Sequence, residues 1–277
     1  DVRDTRYFCE IIRKHHGRTV TLNGYCQGGL LTLSSVLSGT LEGLVDTHIT
    51  CVAPIDGTKS PGFKKFRDSM PQRFNDLEYS IKTLPNGNRA VDGDLMSWIY
   101  KLNTISDEYP VVAFLRDLSM FDHLIEADSG ISKTVAGLIH WLTYDRHDLS
   151  VEITRASFIS YNVPISEDGT LPFKVFDRKL NLHYIPQKGI KMLTCYGEKD
   201  TLVEKPCALA HLDHIPVEVT PFPKGHVAIA TSWSKPTSDC ALHTRFGEEG
   251  YRGPVRFHLD IEREEDTQAA KKSKIAI

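Results

Sequence analysis

Hydrophobic positions change their period several times along this chain of 277 residues. Between Thr5 and His16, Tyr7, Phe8, Ile11 and Ile12 fall on one face at helical spacing, and Gly17 follows as a left-handed cap, which predicts a helix. Thr19, Val20, Thr21 and Leu22 form a short β-branched run that leads into Gly24-Tyr25-Cys26-Gln27-Gly28-Gly29 and then into an apolar helical stretch. The order is strand, tight turn, helix. The segment THITCVAPIDG predicts a buried strand from about His48 to Pro54. From about Gly57 to His183 the strand signal disappears and helical patterns take over, in DLMSWIYKLN, VVAFLRDLSMFDHLIEA, ISKTVAGLIHWLTYD and VEITRASFIS. Strands resume in GIKMLTCYGEKD, Gly189 to Asp200, and in IPVEVTPFPKGH, Ile215 to His226. The tail DIEREEDTQAAKKSKIAI is made of charged blocks with little to bury, and disorder is expected there.

These patterns predict an α/β chain built on a mostly parallel sheet. Its expected organisation is a core segment 1–56, a helical cap insertion 57–188, a second core segment 189–258 and a disordered tail 259–277.

Composition narrows the function classes. With 40% hydrophobic residues the chain can bury one sizeable core. Lys and Arg number 33 against 36 Asp and Glu, and no basic stripe alternates with aromatics, so nucleic acid is not an expected partner. No apolar run approaches the ~18 residues of a membrane helix, and the first residues lack the apolar segment of a signal peptide. A soluble, cytoplasmic protein is the expectation. Cys9, Cys26, Cys51, Cys195, Cys207 and Cys240 show no paired spacing, which suggests reduced thiols and neither a disulfide frame nor a zinc site.

The chemistry centres on Cys26. A G-x-S-x-G turn between strand and helix holds a nucleophile in a strained conformation at the end of a sheet, and here cysteine takes the serine's place. Gly24 and Gly28 are expected to be glycines because strand and helix cross closely. Gln27 would offer its backbone N–H to an oxyanion, and the helix N-terminus favours a thiolate. A buried cysteine in the glycine turn of some other α/β unit is the alternative.

Each resumed strand leaves an ionisable residue past its C-terminal end, where open α/β sheets place their sites: Asp200 and His226. A thiol nucleophile needs a histidine to take its proton, and that histidine needs a carboxylate to fix its tautomer. Asp56, past the earlier strand, is an alternative acid. HLDH, His211 to His214, and DRHD, Asp145 to Asp148, lack a third ligand and read as solvated surface, not as metal sites. Asp92 and Asp94 read as a turn and a helix cap.

Together GYCQGG, APID, the long helical insertion, YGEKDTLVEKP and FPKGHVAIATSWSKP resemble the polyhydroxyalkanoate synthases, α/β-hydrolase-fold enzymes with a cysteine in the lipase box. The resemblance implies a Cys26 nucleophile, a His226 base and an Asp200 acid. It also implies polymerisation of (R)-3-hydroxyacyl-CoA into polyester, with CoA as leaving group and no further cofactor. Acyl-CoA and polyester would be the partners, and the polyester granule a place of association. Dienelactone hydrolases also have a Gly-Tyr-Cys elbow, but the long Cys26-to-Asp200 gap needs a cap that the synthases possess. A cysteine-dependent depolymerase or thioesterase is the alternative enzyme, and an inactive, partner-dependent binding subunit the alternative outside catalysis. Such folds place several strands before the elbow. This chain is therefore expected to be the C-terminal part of the fold, or to be completed by a second chain or as a homo-oligomer.

Overall fold

The computed structural model describes residues 1–69, 77–96 and 147–226. Helix α1 spans Val2–His16. It begins earlier than the apolar pattern because Asp1 caps it, accepting the backbone N–H groups of Arg3 and Asp4, and Asp4 answers with its own carboxylate. Gly17, at φ 69° and ψ 9°, closes it through an N–H bond to the Arg13 carbonyl. The predicted apolar face does not pack inward: Tyr7 and Phe8 are exposed, and Val2 and Cys9 are the buried residues. Helical periodicity identifies a face without saying which side the sheet occupies.

Strand β1, Val20–Tyr25, is followed by α2, Gln27–Leu37, and β2, Val45–Cys51. Helix α3, Pro61–Ser69, leads to β3, Ile81–Thr83, and β4, Arg89–Val91; then come β5, Leu149–Ser150, and α4, Val151–Asn162. Beyond these lie β6, Thr170–Val175, β7, Arg178–Asn181, and the short α5, Tyr184–Gln187. Strand β8, Lys191–Gly197, the short α6, Lys205–Ala208, and β9, Glu218–Phe222, complete the described order. The protein is an α/β chain whose main sheet is parallel throughout, in the order β1-β2-β8-β9.

Two compact units divide the chain: Asp1–Phe63 with Ile159–Ile277, and Lys64–Phe158. The first holds the parallel sheet, and its largest core joins Leu33, Val36 and Leu37 of α2 to Val20, Val45, Leu180, Ile185 and Met192. The second holds the antiparallel sheet β3-β4-β5. There Asp92 accepts the N–H groups of Asp94 and Leu95, the expected cap, and Lys82 bridges Asp92 and Asp148.

Within the segment 57–188 the described residues hold strands as well as helices. Helix α4 matches VEITRASFIS, and the rest of the predicted helical stretch, residues 97–146, lies outside the described residues, as does the tail. Two hairpins were hidden in it. The β3–β4 turn contains Asn86-Gly87 with Gly87 at φ 82°, a strong short-range hairpin signal overshadowed by the shortness of both strands. The β6–β7 turn is made by Phe176 and Asp177, at φ 50° and 61°, the geometry that ordinarily calls for Asn-Gly. The Arg3 guanidinium lies over the Phe176 ring at 5.0 Å. Among the described residues no helix is long and apolar enough to cross a membrane.

Two buried imidazoles lie in or against the main sheet. His48 in β2 hydrogen-bonds through Nε2 to the Thr32 hydroxyl of α2 at 3.0 Å, and His211 through Nε2 to Thr194 of β8 at 2.8 Å. His211 is thus no surface ligand, contrary to the reading of HLDH as solvated: it is fully enclosed, while Asp213 pairs with Lys59 at the surface. Both Nδ1 atoms are buried and unpartnered among the described residues. Burial, with a contribution from His211, pushes His48 down to about 3, and burial pushes His211 down to about 4. The native state holds both rings neutral, whereas the unfolded chain takes up protons below about pH 6.5. Stability is therefore full above about pH 6.5 and falls as the pH drops towards 3. Chemical denaturation at pH 7.5 and 5.0 is expected to show a loss on the order of 2 kcal/mol per imidazole. In His48→Gln that loss shrinks by about half.

Candidate active site

Cys26 stands between the last residue of β1 and the first of α2, at φ 53° and ψ −126°. Such a backbone costs a non-glycine residue about 1–3 kcal/mol and persists only when its surroundings over-determine it. Here the Cys26 N–H bonds the Cys51 carbonyl at 2.8 Å, and its carbonyl accepts the Gly29 N–H at 2.8 Å. Closeness of strand and helix does the rest. A Cβ on Gly24 would stand 2.1 Å from Thr32 Oγ1 and 2.5 Å from the Gly29 Cα. The second glycine the crossing needs is Gly29, whose Cβ would stand 2.5 Å from that of Ala53. Gly28, expected to fill this role, has nothing within 4 Å of the corresponding position. In a helix, the side facing the neighbouring strand loop is set by the turn's rotation, which the G-x-C-x-G spacing does not report.

The structure brings the three predicted residues together. His226 Nδ1 and Asp200 Oδ2 are 2.7 Å apart, with the Asp200 side chain wholly enclosed. Asp200 Oδ1 accepts the backbone N–H groups of Leu202 and Val203, both at 2.9 Å, which aims the second oxygen at the ring. Burial disfavours the charged ring, but the hydrogen bond to Asp200 and the nearness of Cys26 outweigh it, and His226 is pushed up to about 9.

Asp56, the alternative acid, is engaged elsewhere. Its Oδ1 accepts the backbone N–H of Thr58 at 3.0 Å and the Thr58 hydroxyl, and its Oδ2 accepts the Ile165 N–H at 3.1 Å. It caps the 3-10 turn Gly57–Lys59 and ties the loop after β2 to the chain beyond α4. Gln27 opens α2, which leaves its backbone in the first turn of a helix beside Cys26.

The other described thiols are enclosed. Cys51 and Cys195 are register partners on β2 and β8; Cys51 donates to Asn23 Oδ1 at 3.6 Å. Burial, then the bond to Cys51, raises the Cys195 thiol far above its ordinary value, and burial beside Asp56 pushes Cys207 up to about 12. Among the described cysteines, Cys26 alone is partly exposed. Sequence reasoning missed one neighbour of the site: Tyr25 donates its hydroxyl to the His226 backbone carbonyl and sets its ring edge-on to the imidazole. Its place beside Cys26 in the elbow was the available signal, but nothing in the spacing says where the ring points.

No family model matches the chain, and no curated protein matches it in sequence. Among solved structures it is similar to a carboxylesterase from the ammonia-oxidizing thaumarchaeon Nitrososphaera gargenis, at 13% identity and a TM-score of 0.37, over 82% of this chain and 65% of that one. It is also similar to a variant of polyneuridine aldehyde esterase, at 11% identity and a TM-score of 0.41, over 84% of this chain and 73% of the other. A third match is an alpha/beta hydrolase enzyme from a Medee basin deep-sea metagenome library, at 14% identity and a TM-score of 0.37, over 90% and 73%. The chain thus spans less than two thirds of the length of the first of these.

The two helix glycines should separate in mutagenesis. Gly29→Ala forces a methyl group against Ala53 and is expected to cost about 1–3 kcal/mol in equilibrium denaturation. Gly28→Ala meets open space inside a helix and is expected to gain about 0.5–1 kcal/mol.

Proposed function

We propose that this chain is a cysteine-dependent acyltransferase in which Cys26 is the nucleophile, His226 the general base and Asp200 the carboxylate that orients it. The observation that carries the reading is Cys26 on a strained turn at the head of a helix, close to an imidazole that Asp200 holds at 2.7 Å. His226 takes the thiol proton; the thiolate adds to a thioester carbonyl; the oxyanion lies towards the Gln27 N–H. The leaving thiol takes the proton back from His226, and an acyl thioester remains on Cys26.

Thioester exchange suits a cysteine, because the acyl-enzyme keeps nearly the same carbonyl energy as the substrate and can pass the acyl group onward. A serine ester would sit lower. In the finer reading, supported by the sequence resemblance, the substrate is a (R)-3-hydroxyacyl-CoA and the acceptor the hydroxyl of a second hydroxyacyl group. Its attack, with the proton again going to His226, forms an ester bond and frees Cys26. CoA is then a product and no other cofactor is needed.

The test is incubation with 3-hydroxybutyryl-CoA, with free CoA followed by a thiol reagent and the acyl product by mass spectrometry. CoA release with oligomeric ester, abolished in Cys26→Ala and lowered on the order of 10²–10⁴-fold in Asp200→Asn, is the expected result. Release of free hydroxy acid alone assigns hydrolysis. Release that survives Cys26→Ala overturns the nucleophile.

A further inference from the structure

The hydrogen bond between Nδ1 and Asp200 leaves the His226 imidazole free to rock about it, and it leaves the backbone unanchored. Strand β9 ends at Phe222, four residues before His226, so the base hangs on a connecting segment. That segment is tied to the acid loop, where the Glu198 N–H bonds the Phe222 carbonyl at 2.8 Å and the Lys199 N–H bonds the Lys224 carbonyl at 3.2 Å. These bonds set the base against Asp200. They do not set it against Cys26.

Tyr25 does. It is the last residue of β1 and the chain neighbour of Cys26, its hydroxyl donates to the His226 carbonyl, and its ring meets the imidazole edge-on at 5.4 Å between centroids and 64° between planes. Given the reading of Cys26 and His226 as nucleophile and base, we propose that Tyr25 is the positioning residue that locks His226 in register with Cys26, holding its backbone through the hydroxyl and its ring plane through the aromatic contact. The titratable groups around it are Cys26, Asp200, Cys51 and His226. Burial foremost, and then the charges of Cys26, Asp200 and Cys51, raise the phenol, so it stays a donor across the working range.

Alkylation of Cys26 by iodoacetamide tests this without any choice of substrate. The sulfur displaces iodide and forms a C–S bond, and the thiol proton goes to His226 or, in strong base, to hydroxide. Rates are read on the Cys26 peptide by mass spectrometry from pH 6 to pH 11 for the wild type, Tyr25→Phe, Tyr25→Leu and His226→Gln. Tyr25→Phe is expected to slow alkylation at pH 7 about fivefold and Tyr25→Leu about twentyfold, losses of the size of one hydrogen bond and one aromatic contact. At pH 11, where no base is needed, both should match the wild type. Tyr25 variants that follow the wild type at every pH overturn the proposal, and so does equal slowing at pH 7 and pH 11, which marks general damage to the elbow. Because Tyr25→Phe is nearly isosteric, it decides alone if Tyr25→Leu fails to fold. A His226→Gln profile identical to the wild type overturns the nucleophile–base reading itself, whatever the Tyr25 variants do.

Discussion

The close crossing of β1 and α2 is the constraint on which the site depends. Gly24 and Gly29 let the strand and the helix start approach until Thr32 and Ala53 fill the space a side chain would need. Only at that separation does a single residue, Cys26, turn the chain from strand into helix, and it does so with a positive φ. The loop on the other side is strained too: Val52, β-branched and wholly buried, has φ 47° and bonds the Cys195 carbonyl through its N–H. That turn delivers Ala53 to Gly29. Strain at Cys26 and strain at Val52 are parts of one packing solution, offset by the core that α2 forms with the sheet.

Parallel strands carry the consequence outward. Because β1, β2, β8 and β9 run in the same direction, their C-terminal ends lie together, and residues far apart in sequence meet there without any long-range design. Cys26 follows β1, Asp200 follows β8 and His226 follows β9. The buried groups on the sheet have the opposite electrostatic character. His48 and His211 stay neutral against hydroxyls and burial holds Cys195 as a thiol, whereas Asp200 and His226 compensate one another at the strand ends.

Much of this arrangement was legible in the sequence because it depends on local order. The strand, turn and helix around Cys26, the two late strands and the polar residues at their ends all follow from hydrophobic period and turn chemistry. What was not legible depends on rotation about an axis. Gly29, not Gly28, faces Ala53; the exposed face of α1 is the one bearing Tyr7 and Phe8; His211 points into the sheet. The hairpin at Phe176-Asp177 was invisible for a different reason: its positive φ angles are carried by residues that normally avoid them.

The sequence favoured Asp200 over Asp56 only by its place, since each follows a strand of the same sheet. Hydrogen-bond direction separates them. Asp56 has donors on both oxygens, from Thr58 on one and Ile165 on the other, so its carboxylate is spent on holding two loops. Asp200 takes both of its backbone donors, Leu202 and Val203, on a single oxygen. Those two bonds fix the carboxylate plane and point the remaining oxygen at His226 Nδ1. In the proposed triad the acid is thus distinguished less by its charge, which both residues share, than by the asymmetry of what surrounds it. In the same way Tyr25 enters the proposal for where its hydroxyl ends, on the His226 backbone, and not for any chemistry of its own.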